Sequence, residues 1–176
     1  MIDEKKFIDE ILLNVAKAMV VAARTAPKGC GISTFTFALA QAGDIKKLSK
    51  KMKEIGSACE APAFLRDAEN ILSSPVIVLL GTQIKALGLK KCGMCGFKNC
   101  AEKEKHQKTP CVFNTGDLGI ALGSAVSVAA DHRVDCRVMY TVGQAAVELG
   151  LLGKDIKIAY AVPLSATSNN PFFDRK

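Results

Sequence analysis

The residues able to do chemistry are concentrated in one stretch, "KKCGMCGFKNCAEKEKHQKTPC", residues 90–111, which holds four of the seven cysteines. Their spacing is Cys92-x2-Cys95-x4-Cys100-x10-Cys111. Two thiols separated by two residues can bend round a single metal centre. Gly93 and Gly96 relieve the steric limits on that turn and leave backbone amides to point inward. Such amides matter because hydrogen bonds to cluster sulfurs tune reduction potential. The third and fourth thiols complete a four-thiolate cage. This spacing favours a [4Fe–4S] cluster. Structural zinc prefers two short Cys-x2–4-Cys knuckles, and only one is present. Zinc and incidental thiols stay open as alternatives.

The remaining cysteines, Cys30, Cys59 and Cys136, lie far from that stretch in sequence. Free cysteine usually behaves as a small buried hydrophobe. Cys30 is the exception to consider, because Lys28, Gly29 and Gly31 around it suit an exposed, activated thiol. His106 and His132 are too few for a histidine-based site. Asp117 complements the dipole of the helix it opens. No Ser/His/Asp set, Walker loop or paired-carboxylate motif stands out, so hydrolysis and phosphoryl transfer have no support.

The elements that position this chemistry come from a chain of 176 residues, 49% hydrophobic, enough for one domain with its own core. The start, "MIDEKKFIDE", is charged and unlike a signal peptide. No apolar run approaches the roughly 20 residues that span a bilayer. The expected location is therefore the cytoplasm, with no membrane partner. Disulfides are rare there, so clustered thiols point to metal or redox chemistry. Net charge is +7, and six lysines (90, 91, 98, 103, 105, 108) face only Glu102 and Glu104 in residues 90–108. They form a solvated loop or a dock for an acidic partner. Nucleic acid is not expected, because Phe97 alone offers a stacking ring.

Residues 3–24 read as an amphipathic helix with Asp3 as N-cap, ended by Pro27. "STFTFALA" alternates as a half-buried strand. "DIKKLSKKMKEIG" is a second helix, opened by Asp44 and closed near Gly56, and "APAFLRDAENILSS" is a third. "PVIVLLG", residues 75–81, is apolar on both faces, as a central strand must be. A long helix runs from about Thr115 to Asp131. Gly116, Gly119 and Gly123 share one face of it, where another backbone can approach closely. "VGQAAVELGLLG" adds a helix and "DIKIAYAV" a strand, before an irregular tail. The predicted architecture is an α/β or α+β sandwich, one sheet covered by helices. The cysteine-rich segment, residues 88–112, is an insertion within a single domain over residues 1–176.

"CGMCGFKNC" resembles the CGxCGxxxC signature of the four-iron domains in corrinoid iron–sulfur proteins and Rnf-type electron-transport subunits. In those the fourth cysteine comes later and is often followed by proline, whereas Pro110 precedes Cys111 here. "AARTAPKGCG", "LRDAENILSSPVIVLLG" and the run from Asn114 to Pro163 resemble pieces of nitroreductase-like flavoproteins. The combination resembles the "ferredoxin-domain-containing" family. That resemblance implies FMN at a homodimer interface, and an oxidoreductase passing two electrons from flavin to an organic substrate. The arginine- and serine-rich phosphate motif of nitroreductases has no counterpart before the first helix, and "GCGIST" replaces their usual flavin loop. An FMN phosphate would then rest on Arg24, Lys28 and Arg175. The lysines around the cysteines suit an acidic electron carrier, ferredoxin or flavodoxin, as partner. The rival readings are a flavin-free [4Fe–4S] carrier or redox sensor, and a zinc-stabilised interaction module.

Overall fold

The structure is a computed structural model describing residues 2–4 and 7–173. Arg175 lies outside the described residues. The elements are α1 (Ile8–Thr25), β1 (Phe35–Gln41), α2 (Ala42–Ala58), α3 (Pro62–Asn70), β2 (Val76–Gln83), α4 (Cys100–Glu104), α5 (Val112–Asp131), β3 (Asp135–Cys136), α6 (Tyr140–Glu148) and β4 (Ile156–Ser165).

β2 decides the layering. Its side chains alternate, as a pleated strand requires. Val76, Val78 and Leu80 face one core with α1 and α5. Ile77 and Leu79 face the other, with α2, α3 and α6. β2 is central, as its double-sided apolarity predicts, in a sheet ordered β1-β2-β4-β3. Every named pairing is antiparallel, which makes the fold α+β with helices on both faces. β4 carries a bulge. Thr82 pairs with Ile158 but Gln83 with Ile156, so the extra residue turns Ile156 onto the α2/α3/α6 side. On that side Asp67 is buried and satisfied, accepting from Thr141 Oγ1 at 2.7 Å and Arg66 Nε at 2.8 Å.

Several boundaries differ from expectation. α1 begins at Ile8 after Phe7, so Asp3 does not cap it. Ala26 turns extended before Pro27, as predicted. α2 starts two residues before Asp44 and runs past Gly56. Gly56 is small for packing and not for stopping: a Cβ there would lie 2.8 Å from Leu65 Cδ2. The helix expected over 61–74 ends at Asn70 and continues as a single 3-10 turn. The two-residue β3 carries too little pattern to be seen in sequence.

α5 begins at Val112, earlier than expected, and packs on α1 through alanines rather than glycines. Ala121, Ala125 and Ala129 are fully buried with Ala16 and Ala23 of α1. Ser124 Oγ donates to Ala22 O at 3.1 Å across the contact. Gly116, Gly119 and Gly123 are exposed, and an added Cβ at any of them meets nothing within 4 Å. Among the described residues α5 is the one helix long and apolar enough to cross a membrane by length and composition, a property the sequence reading did not assign it. Its buried stripe belongs to the α1 side of the core.

Candidate metal centre

The four cysteines lie on the segment between β2 and α5, and the structure ties that segment at its neck. Asn114 is the tie. Its side-chain amide faces the Lys85 backbone like a second strand: Lys85 N donates to Asn114 Oδ1 at 3.1 Å, and Asn114 Nδ2 donates to Lys85 O at 2.9 Å. Asn114 Oδ1 also accepts from Cys111 N at 3.0 Å, while Cys111 Sγ accepts from the Asn114 amide. This reciprocal arrangement is a capping box with a thiol in place of the usual hydroxyl. Cys111 is thus buried, at the N-terminus of a 20-residue helix, where negative charge is favoured.

Within the segment, Gly93 and Gly96 have φ of +101° and +88°, the left-handed region that glycine enters freely. Gly96 N donates to Gly93 O at 2.9 Å, closing a tight turn that presents Cys95. The Gly96 amide is therefore spent on the turn and not free for a sulfur, contrary to expectation. α4 starts at Cys100. Asn99 caps it, accepting from Glu102 N at 2.9 Å, and Glu102 Oε2 reaches back to Lys98 N. Glu104 Oε1 accepts from Ala86 N at 2.8 Å. Both carboxylates of the segment are thus engaged by backbone amides. His106 is exposed and stacks on Phe97 with centroids 4.8 Å apart, which occupies the one aromatic ring of the stretch.

The lysines divide unexpectedly. Lys90, Lys91, Lys98, Lys105 and Lys108 are exposed, but Lys103 is only 1% exposed. Five of the six lysines of the stretch are thus exposed, and not all six as the sequence suggests.

Cys92, Cys95 and Cys100 are half-buried, and all seven cysteines are free thiols. Among the described residues no three His, Cys, Asp or Glu side chains stand gathered as metal donors. The segment supplies four free thiols, a glycine turn and one sulfur already holding an amide hydrogen bond. The structure shows those donors strung along one tied segment.

The first loop lies against this segment. Gly29 approaches it so closely that a Cβ would sit 2.8 Å from Leu87 Cδ2 and 2.9 Å from Phe113 Cδ1. Gly29 N donates to Asp117 Oδ2 at 2.9 Å, so Asp117 anchors this loop rather than only complementing a dipole. The candidate phosphate cations flank the same loop but are engaged locally. Arg24 lies 4.6 Å over the Phe37 ring and donates to Ser33 Oγ at 3.2 Å. Lys28 Nζ donates to Arg24 O at 2.6 Å and to Ala26 O, closing the end of α1. Cys30 is exposed with φ of +52°, and Cys59 is exposed too. The Cys136 thiol has its pKa raised by burial and then by Asp135 beside it, which disfavours its reactive thiolate form.

The chain is 37% identical to a protein of Archaeoglobus fulgidus over 182 residues, 99% of this chain and 97% of that one. A family model described as "Uncharacterized protein containing a ferredoxin domain (DUF2148)" matches residues 107–175. The chain belongs to this ferredoxin-domain-containing family. The matched part of the family model includes Cys111 and Asn114 but begins after Cys100. By fold the chain is nitroreductase-like. It is similar to a nitroreductase with bound FMN from Bacteroides fragilis NCTC 9343, with a TM-score of 0.63 at 12% identity, covering 93% of this chain and 81% of that one. It is similar to a nitroreductase with bound FMN from Desulfitobacterium hafniense DCB-2, with a TM-score of 0.61 at 12% identity, covering 89% and 78%. A BluB-like flavoprotein from Clostridium difficile 630 aligns with a TM-score of 0.53 at 18% identity, covering 90% and 85%. The family and the fold together support a redox, oxidoreductase-like role.

Sequence reasoning missed Asn114, Asp117 as a loop anchor, and the burial of Lys103. The Cys111-x2-Asn114 spacing was the available signal for the first. Asn114→Ala removes three side-chain hydrogen bonds at a buried position. It should cost about 2–4 kcal/mol, at roughly 1 kcal/mol per bond plus unpaired amides. Urea unfolding would show this as a lower midpoint, and an unchanged midpoint would refute the tie.

Proposed function

We propose that this chain is an iron–sulfur electron-transfer protein on a nitroreductase-like frame. Cys92, Cys95, Cys100 and Cys111 hold one [4Fe–4S] cluster in the inserted segment 88–112 of a single domain, 1–176. The observation that carries this reading is the set of four free thiols on one segment whose neck is tied to α5, with Cys111 Sγ already accepting an amide hydrogen bond. A [4Fe–4S] group, when bound, takes and gives single electrons. The chain's part is to supply thiolates, to seat the fourth at a helix N-terminus, and to keep the segment's ends on the core. Such thiols stay reduced in the cytoplasm, where we place the protein.

Anaerobically purified protein should carry about four iron and four sulfide per chain, and Cys95→Ala should lose most of the iron. Stoichiometric zinc without sulfide would favour the interaction module instead.

A flavin reading draws on the two FMN-bound structural neighbours. In it, FMN binds between two copies of the chain, with Arg24, Lys28 and Arg175 near its phosphate, and collects two electrons for an organic substrate. The exposed glycine face of α5 is the surface for the second copy. Gly119→Leu should then shift light-scattering mass toward monomer, and a monomeric wild type at micromolar concentration would defeat this arrangement. Brown protein without yellow flavin absorbance would leave the cluster-only carrier or sensor.

The five exposed lysines are the docking surface for an acidic carrier of ferredoxin or flavodoxin type. Steering by such a patch raises encounter rates by roughly 10–10³-fold and fades as salt screens it. Reduction by an acidic carrier should slow as ionic strength rises, and Lys98→Glu with Lys105→Glu should slow it at low salt. Rates insensitive to both changes would remove the docking surface.

A further inference from the structure

Ser74 is the anomaly of the core. Among the described residues its Oγ is the one buried side-chain polar atom with no hydrogen-bond partner. The residue is 5% exposed and sits in the extended step between the 3-10 turn and β2. A buried hydroxyl left unpaired costs stability, so native proteins almost always give it a partner. Ser73 beside it shows the ordinary case, donating to Asn70 O at 2.8 Å. Ser74 makes no such bond to the backbone.

Ser74 lines a cleft of about 390 Å³, the size of a small-molecule site. The cleft lies at the end of the sheet away from the cysteines. Phe35 pairs with Thr82 near the cysteine segment, whereas Gln41 pairs with Val76 beside the cleft. The two ends of β1 are roughly 20 Å apart at about 3.3 Å per residue. α2 starts in the cleft wall. Its N-cap is Gln41, a residue type that caps poorly, and no side chain bonds to the amides of its first turn. Asp44, within that turn, is bonded to Lys47 at 3.2 Å instead. The uncapped start of a 17-residue helix favours an anion. Lys46 on the same wall adds a cation, exposed and without an ion pair among the described residues. A bare anion does not suit the whole cleft, because Asp9 of α1 lines it too and needs a cation of its own. Leu72 and Pro75 add apolar wall.

We propose that this cleft binds a small zwitterion with an apolar body, of the free amino acid type. The carboxylate lies at the uncapped turn of α2, with Lys46 as counter-ion and the Ser74 hydroxyl as donor. The ammonium lies at Asp9, and the apolar part rests on Leu72 and Pro75. Each unpaired group of the cleft thereby gains the partner it lacks within the chain. The site is separate from the cysteine segment and does not depend on the iron–sulfur reading.

The probe is L-leucine, titrated into the full chain by calorimetry at constant ionic strength. Isocaproate lacks its ammonium and isoamylamine lacks its carboxylate. Leucine should bind roughly tenfold tighter than either, since each end adds a charge-assisted hydrogen bond. Ser74→Ala, Lys46→Met and Asp9→Asn should each weaken leucine binding roughly fivefold or more. Lys17→Met, an exposed lysine elsewhere on α1, should leave it unchanged. Asp9→Asn should at the same time strengthen isocaproate binding, because it removes a repelling charge. Urea unfolding without leucine separates binding from folding. There Ser74→Ala should unfold at no lower midpoint than wild type, because the hydroxyl has no bond to lose. A lower midpoint reveals a structural partner for Ser74 and overturns the proposal. So does the absence of leucine binding, or equal leucine affinity in wild type and the three cleft variants, either of which leaves a cleft that holds water. Inorganic phosphate binding without leucine binding overturns the zwitterion and leaves only an anion-favouring helix end.

Discussion

The side-chain amide of Asn114 holds together three things that the chain separates: the exit of β2, the fourth thiol and the first turn of α5. It does so by imitating backbone. One oxygen takes the amides of Lys85 and Cys111, and one nitrogen gives to the Lys85 carbonyl. Only asparagine or glutamine offers a donor and an acceptor in this form, and the shorter asparagine also sits three residues into the helix as the reciprocal cap. The long irregular segment becomes a closed loop at a single buried point. Closing such a loop costs entropy that grows only slowly with its length, so one well-satisfied neck can carry a large insertion. α5 then refers that neck to the core. Leu118, Ala121, Ala125 and Ala129 are fully buried in the cluster shared with α1 and the sheet, so the position of Cys111 is tied to that core.

Beyond the neck, polar groups of the segment are assigned one by one. Asn99 caps α4, Glu102 and Glu104 hold backbone amides, and His106 lies on Phe97. This is how a stretch with almost no apolar core keeps a shape: local side-chain to backbone hydrogen bonds replace packing. The consequence is electrostatic. The two carboxylates bond to neutral amides and keep their charge, so the segment carries six ammonium groups against two carboxylates over residues 90–108. Exposed lysines act at long range and through salt-dependent rates.

How much of this was legible in sequence depends on the length of the pattern. "PVIVLLG" declared a central strand because both faces are apolar, and the helices of "DIKKLSKKMKEIG" and "VGQAAVELGLLG" followed from period and punctuation. The failures are local conflicts of meaning. Gly56 reads as a helix stop, but α2 runs two residues past it, and α3 packs closely there, with a Cβ at Gly56 lying 2.8 Å from Leu65 Cδ2. The glycine face of α5 reads as a place for another backbone to approach closely; within the chain it is alanines that contact α1, and the glycines stay exposed. The start of α5 was placed three residues late because cysteine is not an ordinary N-cap, so its pairing with Asn114 went unseen. Lys103 was counted as surface charge because composition carries sign and not depth. The cysteine spacing was visible at once, whereas the neck that organises it depends on Lys85 and Asn114 meeting in space, which no spacing rule contains.

The first loop connects the two cofactor readings. Gly29 packs against Leu87, just before the inserted segment, and Phe113 of α5, and its amide is held by Asp117. Arg24 and Lys28, the cations named for a flavin phosphate, flank this same loop. Each already has local work: Arg24 covers Phe37, and Lys28 closes the carbonyl end of α1. A helix C-terminus presents unpaired carbonyls and the negative end of the dipole, so a lysine there is favoured without any ligand. Binding a phosphate at Lys28 would exchange those carbonyl bonds for phosphate bonds, and the loop would have to adjust. Because that loop touches Leu87, the adjustment would be felt at the base of the cysteine segment. Gly29 therefore joins the first loop to the base of the cysteine segment at a close contact, where a Cβ would lie 2.8 Å from Leu87 Cδ2 and 2.9 Å from Phe113 Cδ1.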